Sequence, residues 1–263
     1  MDRETLLHLL RRVAKGELAP EEALPHLSHL PFEDLGFARL DHHRLLRRGF
    51  PEAVYGEGKT PSEIVRILEA FSRRQVPALV TRLEARRAAS LRRVFPALAY
   101  HPRARLAYLG PEPGPGEGLV LVVSGGTSDA GVAEEAFWTA RYLGARAELR
   151  LDVGVAGLHR LAALSPLLLE ARVVVAVAGM EGALPSVVAG LTGAPVIGVP
   201  TSVGYGVQDG GKTPLFSMLA SCVPGLLVVN VDAGFSAGYA AALLNRLAER
   251  GGPLGPRPRK RKP

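Results

Sequence analysis

The chain has 263 residues, of which 47% are hydrophobic, and its formal net charge is +7 at pH 7. This length allows one large domain or two smaller ones, each with an ordinary hydrophobic core. One cysteine, short apolar runs and an N-terminus without a signal-peptide-like apolar stretch exclude a disulfide framework and a bilayer span, and they predict a soluble cytoplasmic protein.

Residues 1–110 are predicted to form a small, mixed α+β domain. Apolar residues recur at helical spacing over 2–14, and a second short helix is predicted over 19–27. The segment LDHHRLLRRGFPEAVYGEGKTPSE (40–63) is too polar for a core. Thr60 is a plausible cap for a helix with proline in its first turn, and short strand-like segments follow this helix.

Residues 111–118 lie in GPEPGPGEG, whose glycines and prolines suit neither a helix nor a central strand, so a linker is predicted. After it, residues 119–250 alternate apolar strands with helices, which predicts a parallel sheet covered on both faces. Strands are predicted over 119–123, 147–151, 172–179, 195–200 and 226–231, and helices over 131–144, 157–164, 181–193, 213–222 and 235–250. Such folds bind ligands at the carboxyl ends of their strands.

The first strand ends in VSGGTSD, which leads into a helix. Backbone amides at such a turn bind anions, and glycine lets a phosphate approach closely. A phosphate or nucleotide loop is therefore predicted, formed by Ser124, Gly125, Gly126, Thr127, Ser128 and Asp129. The alternative is a purely structural turn in which Ser128 or Asp129 caps the helix.

The second and third strand ends also carry polar residues. Asp152 and His159 are candidates for ribose contact or acid–base chemistry, although His159 is equally compatible with an ordinary helix residue. Glu181 follows the third strand and is either a general base over the substrate or a carboxylate that stabilises a helix start.

The fourth strand is followed by VPTSVGYGVQDGGKTP, in which Gly206 to Thr213 match G-x-x-x-x-G-K-[ST]. The strand ends near Pro200 and Pro214 follows the motif, whereas a P-loop follows its strand directly. We expect a flexible lid that offers Lys212 to an anion instead.

Cys222 is predicted to end the helix over 213–222. A lone thiol is either a small buried hydrophobic residue or a nucleophile. Since a helix C-terminus opposes thiolate formation, a nucleophilic Cys222 requires activation from elsewhere, such as a cationic substrate.

Residues 251–263 are predicted to form a disordered basic tail. The tail contributes +5 to the net charge and leaves +2 for the rest of the chain. Because a nucleic-acid-binding protein carries a basic face on its folded body, nucleic acid is not the expected partner.

Several segments resemble the LarB family. In the C-terminal half these are VSGGTSD, DVGVAGLHR, VVVAVAGMEGALP, PVIGVPTSVGYG, SMLASC and VNVDAGFSAG. The segment 40–63 also resembles LarB, and the similarity extends over roughly residues 40–250. The resemblance implies a PurE-like, doubly wound α/β domain (a three-layer, Rossmann-like sheet) after a smaller mixed α+β domain. PurE relatives form octamers, so a homo-octamer is expected.

The resemblance also implies a reaction. LarB carboxylates C5 of the pyridinium ring of nicotinic acid adenine dinucleotide with CO₂ or bicarbonate and cleaves the phosphoanhydride. The products are AMP and pyridinium-3,5-biscarboxylic acid mononucleotide, a precursor of the nickel-pincer nucleotide cofactor. The cysteine that matches Cys222 is the covalent nucleophile in that family.

The remaining roles are expectations for this site. Glu181, ahead of Asp129, is the candidate base that removes the C5 proton. Residues 124–128 and Lys212 are expected to hold phosphates, and Mg²⁺ is expected with ligands that the sequence does not name. The other expected substrate contacts are Asp152, His159, Gly179, Met180, Thr201, Ser202 and Asp232.

Two departures from PurE affect the prediction. This chain has AGLHR where PurE has SAHR, so the role of the PurE histidine is not transferred to His159, and PurE has no equivalent of Cys222. A PurE-like aminoimidazole ribonucleotide carboxylase or mutase remains the alternative enzyme. A non-catalytic nucleotide-binding module is the alternative outside enzymes.

Overall fold

The computed structural model describes residues 3–28 and 32–249. The chain divides between Pro111 and Glu112 into two compact units. The predicted basic tail over 251–263 lies outside the described residues. Within the described ranges, no helix is both long and apolar enough to cross a bilayer.

In its described residues, the N-terminal unit combines five helices with a four-stranded sheet and a short hairpin. Its elements are α1 (Arg3–Ala14), α2 (Pro20–Ser28), β1 (Glu33–Asp34), β2 (Arg39–Leu40), α3 (Arg44–Arg48), β3 (Ala53–Tyr55), α4 (Pro61–Arg73), β4 (Ala78–Thr81), α5 (Ala85–Val94), β5 (Ala99–His101) and β6 (Leu106–Leu109). The sheet order is β3-β4-β6-β5, in which only the β3–β4 pair is parallel.

Helix α4 connects the two parallel strands. Thr60 caps it in a capping box with Glu63, and the buried side chains of Ile64, Ile67 and Phe71 face the core. The expectation that residues 40–63 are too polar for a core is wrong. Among the side chains of this segment that the structure describes, four are buried: Leu40, His42, Phe50 and Val54. The apolar residues are scattered among polar ones, and a hydrogen bond of 2.9 Å with Glu33 satisfies Nε2 of the buried His42.

The C-terminal unit confirms the predicted α/β fold with a parallel sheet. Its elements are β7 (Leu119–Ser124), α6 (Ala130–Tyr142), β8 (Arg146–Arg150), α7 (Leu158–Ala162), α8 (Ser165–Glu170), β9 (Val173–Ala178), α9 (Leu184–Leu191), β10 (Val196–Pro200), α10 (Lys212–Leu219), β11 (Leu226–Val228) and α11 (Gly234–Glu249). The strand order is β11-β10-β9-β7-β8, and every neighbouring pair is parallel. Strands β7, β9 and β10 are buried along their whole length, which explains their continuous apolar sequences.

Several predicted boundaries differ from the structure, and three of these differences concern the helices around the site. The helix expected over 157–164 is shorter, and α8 follows it as a separate helix with proline in its first turn. Helix α9 begins at Leu184 rather than at 181, because Pro185 suits the first turn of a helix and not its interior. Helix α10 ends at Leu219, so Cys222 does not end a helix.

Candidate active site

A cavity of about 510 Å³ opens at the carboxyl ends of the parallel strands. The four turns that follow β7, β8, β9 and β10 line this cavity. Seven predicted site residues are among the lining residues: Gly125, Gly126, Ser128, Asp129, Gly179, Met180 and Glu181. A topological crevice of this kind is where parallel α/β sheets bind ligands.

Two glycines allow these turns to approach each other closely. A Cβ atom added to Gly154 would lie 2.6 Å from the carbonyl oxygen of Gly125. A Cβ atom added to Gly179 would overlap the carbonyl oxygen of Val203 and lie 2.7 Å from Oγ1 of Thr201. Since real Cβ atoms do not approach backbone atoms this closely, both positions require glycine for the turns to pack against each other as they do.

Asp129 joins three of the turns through its buried carboxylate. Oδ1 accepts a hydrogen bond of 2.7 Å from Oγ1 of the buried Thr201, and Oδ2 accepts one of 2.9 Å from the backbone N–H of Gly126. The backbone N–H of Gly179 also donates to this carboxylate. Burial raises the pKa of Asp129 above its usual value, although the three hydrogen bonds oppose the rise.

The Asp129 carboxylate also has part of the capping role that the alternative interpretation gave it. A 3₁₀ turn over Thr127–Asp129 leads into α6, and the carboxylate accepts a hydrogen bond from the backbone N–H of Gly126, which begins that turn. Asp129 makes no capping hydrogen bond to α6 itself. The carboxylate therefore stabilises the start of the turn and joins it to the neighbouring turns of the cavity.

Strained backbone marks the same edge of the sheet. Asp152, Met180 and Asp232 each follow a strand or its extension and have φ values of 58°, 52° and 54°. Non-glycine residues rarely adopt this left-handed conformation, and such positions cluster at functional sites. The carboxylate of Asp152 forms an ion pair with Arg160, and Oδ1 of Asp232 accepts a hydrogen bond of 2.9 Å from the backbone N–H of Ser202.

Other predicted residues lie outside the lining of the cavity. Ser124 is buried and donates to the carbonyl oxygen of Gly126 at 3.3 Å, while Thr127 and His159 are exposed. Nζ of Lys212 forms an exposed ion pair of 2.9 Å with Asp209, so the lysine that was expected to hold an anion already has a carboxylate partner. Thr201 acts through Asp129 rather than at the cavity surface.

Cys222 is exposed in the single chain, so the alternative of a small buried hydrophobic residue is wrong, and the predicted role as a nucleophile stays a prediction. It lies between α10 and β11 and does not line the cavity. A hydrogen bond of 2.8 Å between the hydroxyls of Ser186 and Ser221 fixes the neighbouring backbone against α9. The described part of a single chain therefore does not place this thiol in the cavity.

Several lining residues were missed by the sequence analysis. Val155 and Ala156 follow Gly154 after β8, and Val203, Gly204 and Tyr205 follow β10. Their signal was the same one that located the predicted residues, namely position directly after a strand. They were not selected because none of them carries a carboxylate, imidazole, thiol or ammonium group. Their apolar surfaces give the cavity walls suited to a planar ring.

The cavity offers few side chains that could bind a metal ion. Among residues 3–28 and 32–249, no group of three or more histidine, cysteine or carboxylate side chains is arranged to hold a metal ion. Glu181 and Asp129 are the two carboxylates that line the cavity. They suit a cation that takes most of its ligands from phosphates and water.

Comparison with known proteins identifies the two units. A family model described as the LarB/PurE-like N-terminal domain matches residues 32–111, and one described as AIR carboxylase matches residues 119–250. The chain belongs to the LarB family. An uncharacterized protein of Methanocaldococcus jannaschii is 36% identical over 257 residues, which cover 94% of this chain and 99% of that protein.

The LarB architecture assigns the chain to the PurE-related carboxylase enzymes. A crystal structure of a substituted PurE2 from Treponema denticola is similar to part of the chain. The two are 19% identical with a TM-score of 0.38, and the similarity covers 52% of this chain and 91% of the other.

Proposed function

We propose that this protein carboxylates C5 of the pyridinium ring of nicotinic acid adenine dinucleotide and hydrolyses the phosphoanhydride to release AMP. The product is pyridinium-3,5-biscarboxylic acid mononucleotide, for nickel-pincer nucleotide synthesis. The observation that carries the proposal is a LarB-type chain in which a glycine-lined, carboxylate-containing cavity accompanies one exposed cysteine.

A thiolate solves the central chemical problem of this reaction. The pyridinium ring is electron-poor, and its C5 does not attack CO₂. Addition of the Cys222 thiolate to C4 gives a neutral dihydropyridine, in which C5 is the β-carbon of an enamine and bonds to the carbon of CO₂. A base then removes the C5 proton, and expulsion of the thiolate restores the aromatic cation. Cysteine suits both steps because it is a strong nucleophile and a good leaving group.

The two cavity carboxylates have different roles in this proposal. Glu181 is exposed at the rim, and its carboxylate has no hydrogen bond to another described side chain, so it can accept the C5 proton. Asp129 is the alternative base, but its oxygens already accept three hydrogen bonds. We assign Asp129 to positioning the turns and Glu181 to proton removal.

The turn over Gly125–Ser128 is the proposed phosphate cradle. The N–H groups of Gly125 and Gly126 already donate to Val177 and Asp129, so the proposed donors are the N–H groups of Thr127 and Ser128. They lie in the turn that leads into α6, where an anion is favoured. A Mg²⁺ ion bound to the phosphates would take Glu181 or Asp129 as a protein ligand and would neutralise charge during phosphoanhydride hydrolysis. Water attacks one phosphorus, and AMP leaves with the bridging oxygen or with the oxygen of water.

The exposed position of Cys222 concerns the way in which copies of this chain assemble. The two elements that flank this residue, α10 and the edge strand β11, carry three large apolar side chains that are each more than half exposed in the single chain: Phe216, Leu219 and Leu227. We propose a homo-octamer in which this apolar surface is covered by another copy and the Cys222 thiol reaches a cavity of that copy.

The first experiment follows adduct and product together. Wild type, Cys222→Ser and Glu181→Gln are incubated with nicotinic acid adenine dinucleotide and bicarbonate, and intact-protein and small-molecule mass spectra are recorded. We expect AMP and the carboxylated mononucleotide from wild type only, with a trapped adduct absent from Cys222→Ser. Glu170→Gln, an exposed carboxylate outside the cavity, serves as the charge-matched control. Normal turnover by Cys222→Ser contradicts the covalent mechanism.

Mixing the two inactive variants tests the shared site. Cys222→Ser and Glu181→Gln subunits are unfolded together and reassembled. If thiol and base come from different copies, the mixed oligomer regains part of the activity. If they act within one copy, the mixture stays as inactive as its parents. Light scattering measures the size of the assembly.

The alternatives predict different results in the same assays. A PurE-like enzyme carboxylates an aminoimidazole ribonucleotide and keeps its activity without Cys222. A nucleotide-binding module binds the dinucleotide without forming AMP or any adduct.

A further inference from the structure

One edge of the sheet in the N-terminal unit has the geometry of a ligand-binding site. Strands β3 and β4 are parallel and are joined by α4, so the turns after both strands lie at the same edge of the sheet. The backbone N–H of Gly56 donates to the carbonyl oxygen of Thr81 at 2.8 Å, which brings the two turns together. The carboxyl ends of parallel strands are the usual place for a ligand.

The turn between β5 and β6 joins this edge. The backbone N–H of Leu83 donates to the carbonyl oxygen of Arg105 at 2.7 Å. Arg82 and Arg105 both have left-handed backbone conformations, with φ values of 52° and 50°. The fold therefore holds two arginines side by side in a conformation that their residue type disfavours.

A third arginine fixes the loop after β3. Nη1 of Arg87 donates to the carbonyl oxygens of Gly56 and Lys59, at 3.2 and 3.0 Å. All three arginines are half-buried, so their stems are held by the protein and their charges stay near this edge. We name Arg82, Arg87 and Arg105 the arginine cluster.

Tyr55 and Glu57 lie at the same edge, at the end of β3 and in the turn that follows it. The Tyr55 hydroxyl donates to the Glu57 carboxylate at 2.6 Å, and this bond, together with the charges of the three arginines, lowers the pKa of Glu57. Lys59 adds a fourth positive charge to the edge, while Glu84 adds a second carboxylate, 3.9 Å from Arg87. Positive charge remains in excess, and the ring of Tyr55 is 54% exposed.

We propose that this edge of the N-terminal unit binds a mononucleotide. Its phosphate would bind the arginine cluster in competition with the nearby Glu57 carboxylate, because a phosphate dianion accepts more hydrogen bonds from planar guanidinium groups than one carboxylate does. The Tyr55 ring offers a surface on which the base stacks. The site belongs to the N-terminal unit and does not depend on the reaction proposed for the C-terminal unit.

Calorimetric titration of the full-length protein with AMP, adenosine and inorganic phosphate tests the proposal. We expect AMP to bind more tightly than either fragment. Arg82→Gln or Arg105→Gln should weaken AMP binding roughly tenfold, since each removes charge-assisted hydrogen bonds. Arg93→Gln, which removes the same charge from an exposed position on α5, should leave the affinity unchanged.

Glu57→Gln gives a result that general damage cannot mimic. Removing the competing carboxylate should strengthen AMP binding several-fold. The salt dependence of the AMP affinity should decrease less in this variant than in an arginine variant. Hydrogen exchange should show protection of residues 55–60 and 102–105 on AMP binding, apart from any protection near the C-terminal cavity. Affinity that is the same in Arg93→Gln and Arg105→Gln, or protection confined to the C-terminal unit, overturns the proposal. So does the absence of AMP binding.

Discussion

Thr201 donates the side-chain hydrogen bond that partly stabilises a buried charge. Its hydroxyl lies 2.7 Å from Oδ1 of Asp129, and both residues are buried. Thr201→Val keeps the shape of the side chain and removes only the donor. Because a buried carboxylate then loses one partner, we expect the free energy of unfolding to fall by about 1.5–3 kcal/mol at neutral pH.

The expected loss depends on pH in a defined direction. Burial raises the pKa of Asp129 in the folded protein above its unfolded value of about 3.8, and the Thr201 hydrogen bond limits that rise. The native state therefore holds its proton to higher pH, and stability falls as pH rises through the folded pKa. Thr201→Val raises this pKa further. Its destabilisation is full above the folded pKa and shrinks as the carboxylate is protonated in acid.

Trp138 provides the assay, since it is the single tryptophan of the chain and lies on α6 of the same unit. Denaturant unfolding is followed by its fluorescence at neutral and at mildly acidic pH. Thr139→Val is the matched control, because the Thr139 hydroxyl is buried with no hydrogen-bond partner in the described part of the chain. Because this substitution removes an unpaired buried hydroxyl, it should leave the free energy of unfolding unchanged or raise it. Equal losses for both variants, or a loss independent of pH, would refute the reasoning.

Further substitutions test other parts of both units. Gly154→Ala should destabilise the C-terminal unit by about 1–3 kcal/mol and weaken dinucleotide binding, because its Cβ meets a backbone carbonyl oxygen. Gly190→Ala, in α9 with open space around it, should instead stabilise the protein by about 0.5–1 kcal/mol in the same denaturant melts. Thr60→Ala should cost the N-terminal unit about 1 kcal/mol through loss of the capping box, read from faster hydrogen exchange in α4. Burial lowers the pKa of His42 below 6.5 despite its bond to Glu33, so its stabilising contribution should be full above that pH and lost as pH falls. His42→Gln should flatten this pH dependence of α4 exchange, and an unchanged profile would contradict it.

The sequence analysis was most accurate where apolar residues form continuous runs. Continuous apolar runs such as 119–123 and 172–179 predicted buried parallel strands, because only a strand covered on both faces tolerates them. Position after a strand then selected Gly125, Asp129 and Gly179 as cavity residues, since chain order alone places the turns of parallel strands at one edge.

The sequence alone thus determined the fold class, the edge of the sheet that holds the cavity and the family. Tertiary structure decided which of the polar candidates face the cavity. Asp129 lies between three turns because Gly154 and Gly179 let distant backbones approach, and no local pattern encodes such approaches. The exposure of Cys222 and the convergence of Arg82, Arg87 and Arg105 likewise depend on contacts between segments far apart in the chain. Local propensity acts over a few residues, whereas the positions of charges and thiols are set by packing between such segments.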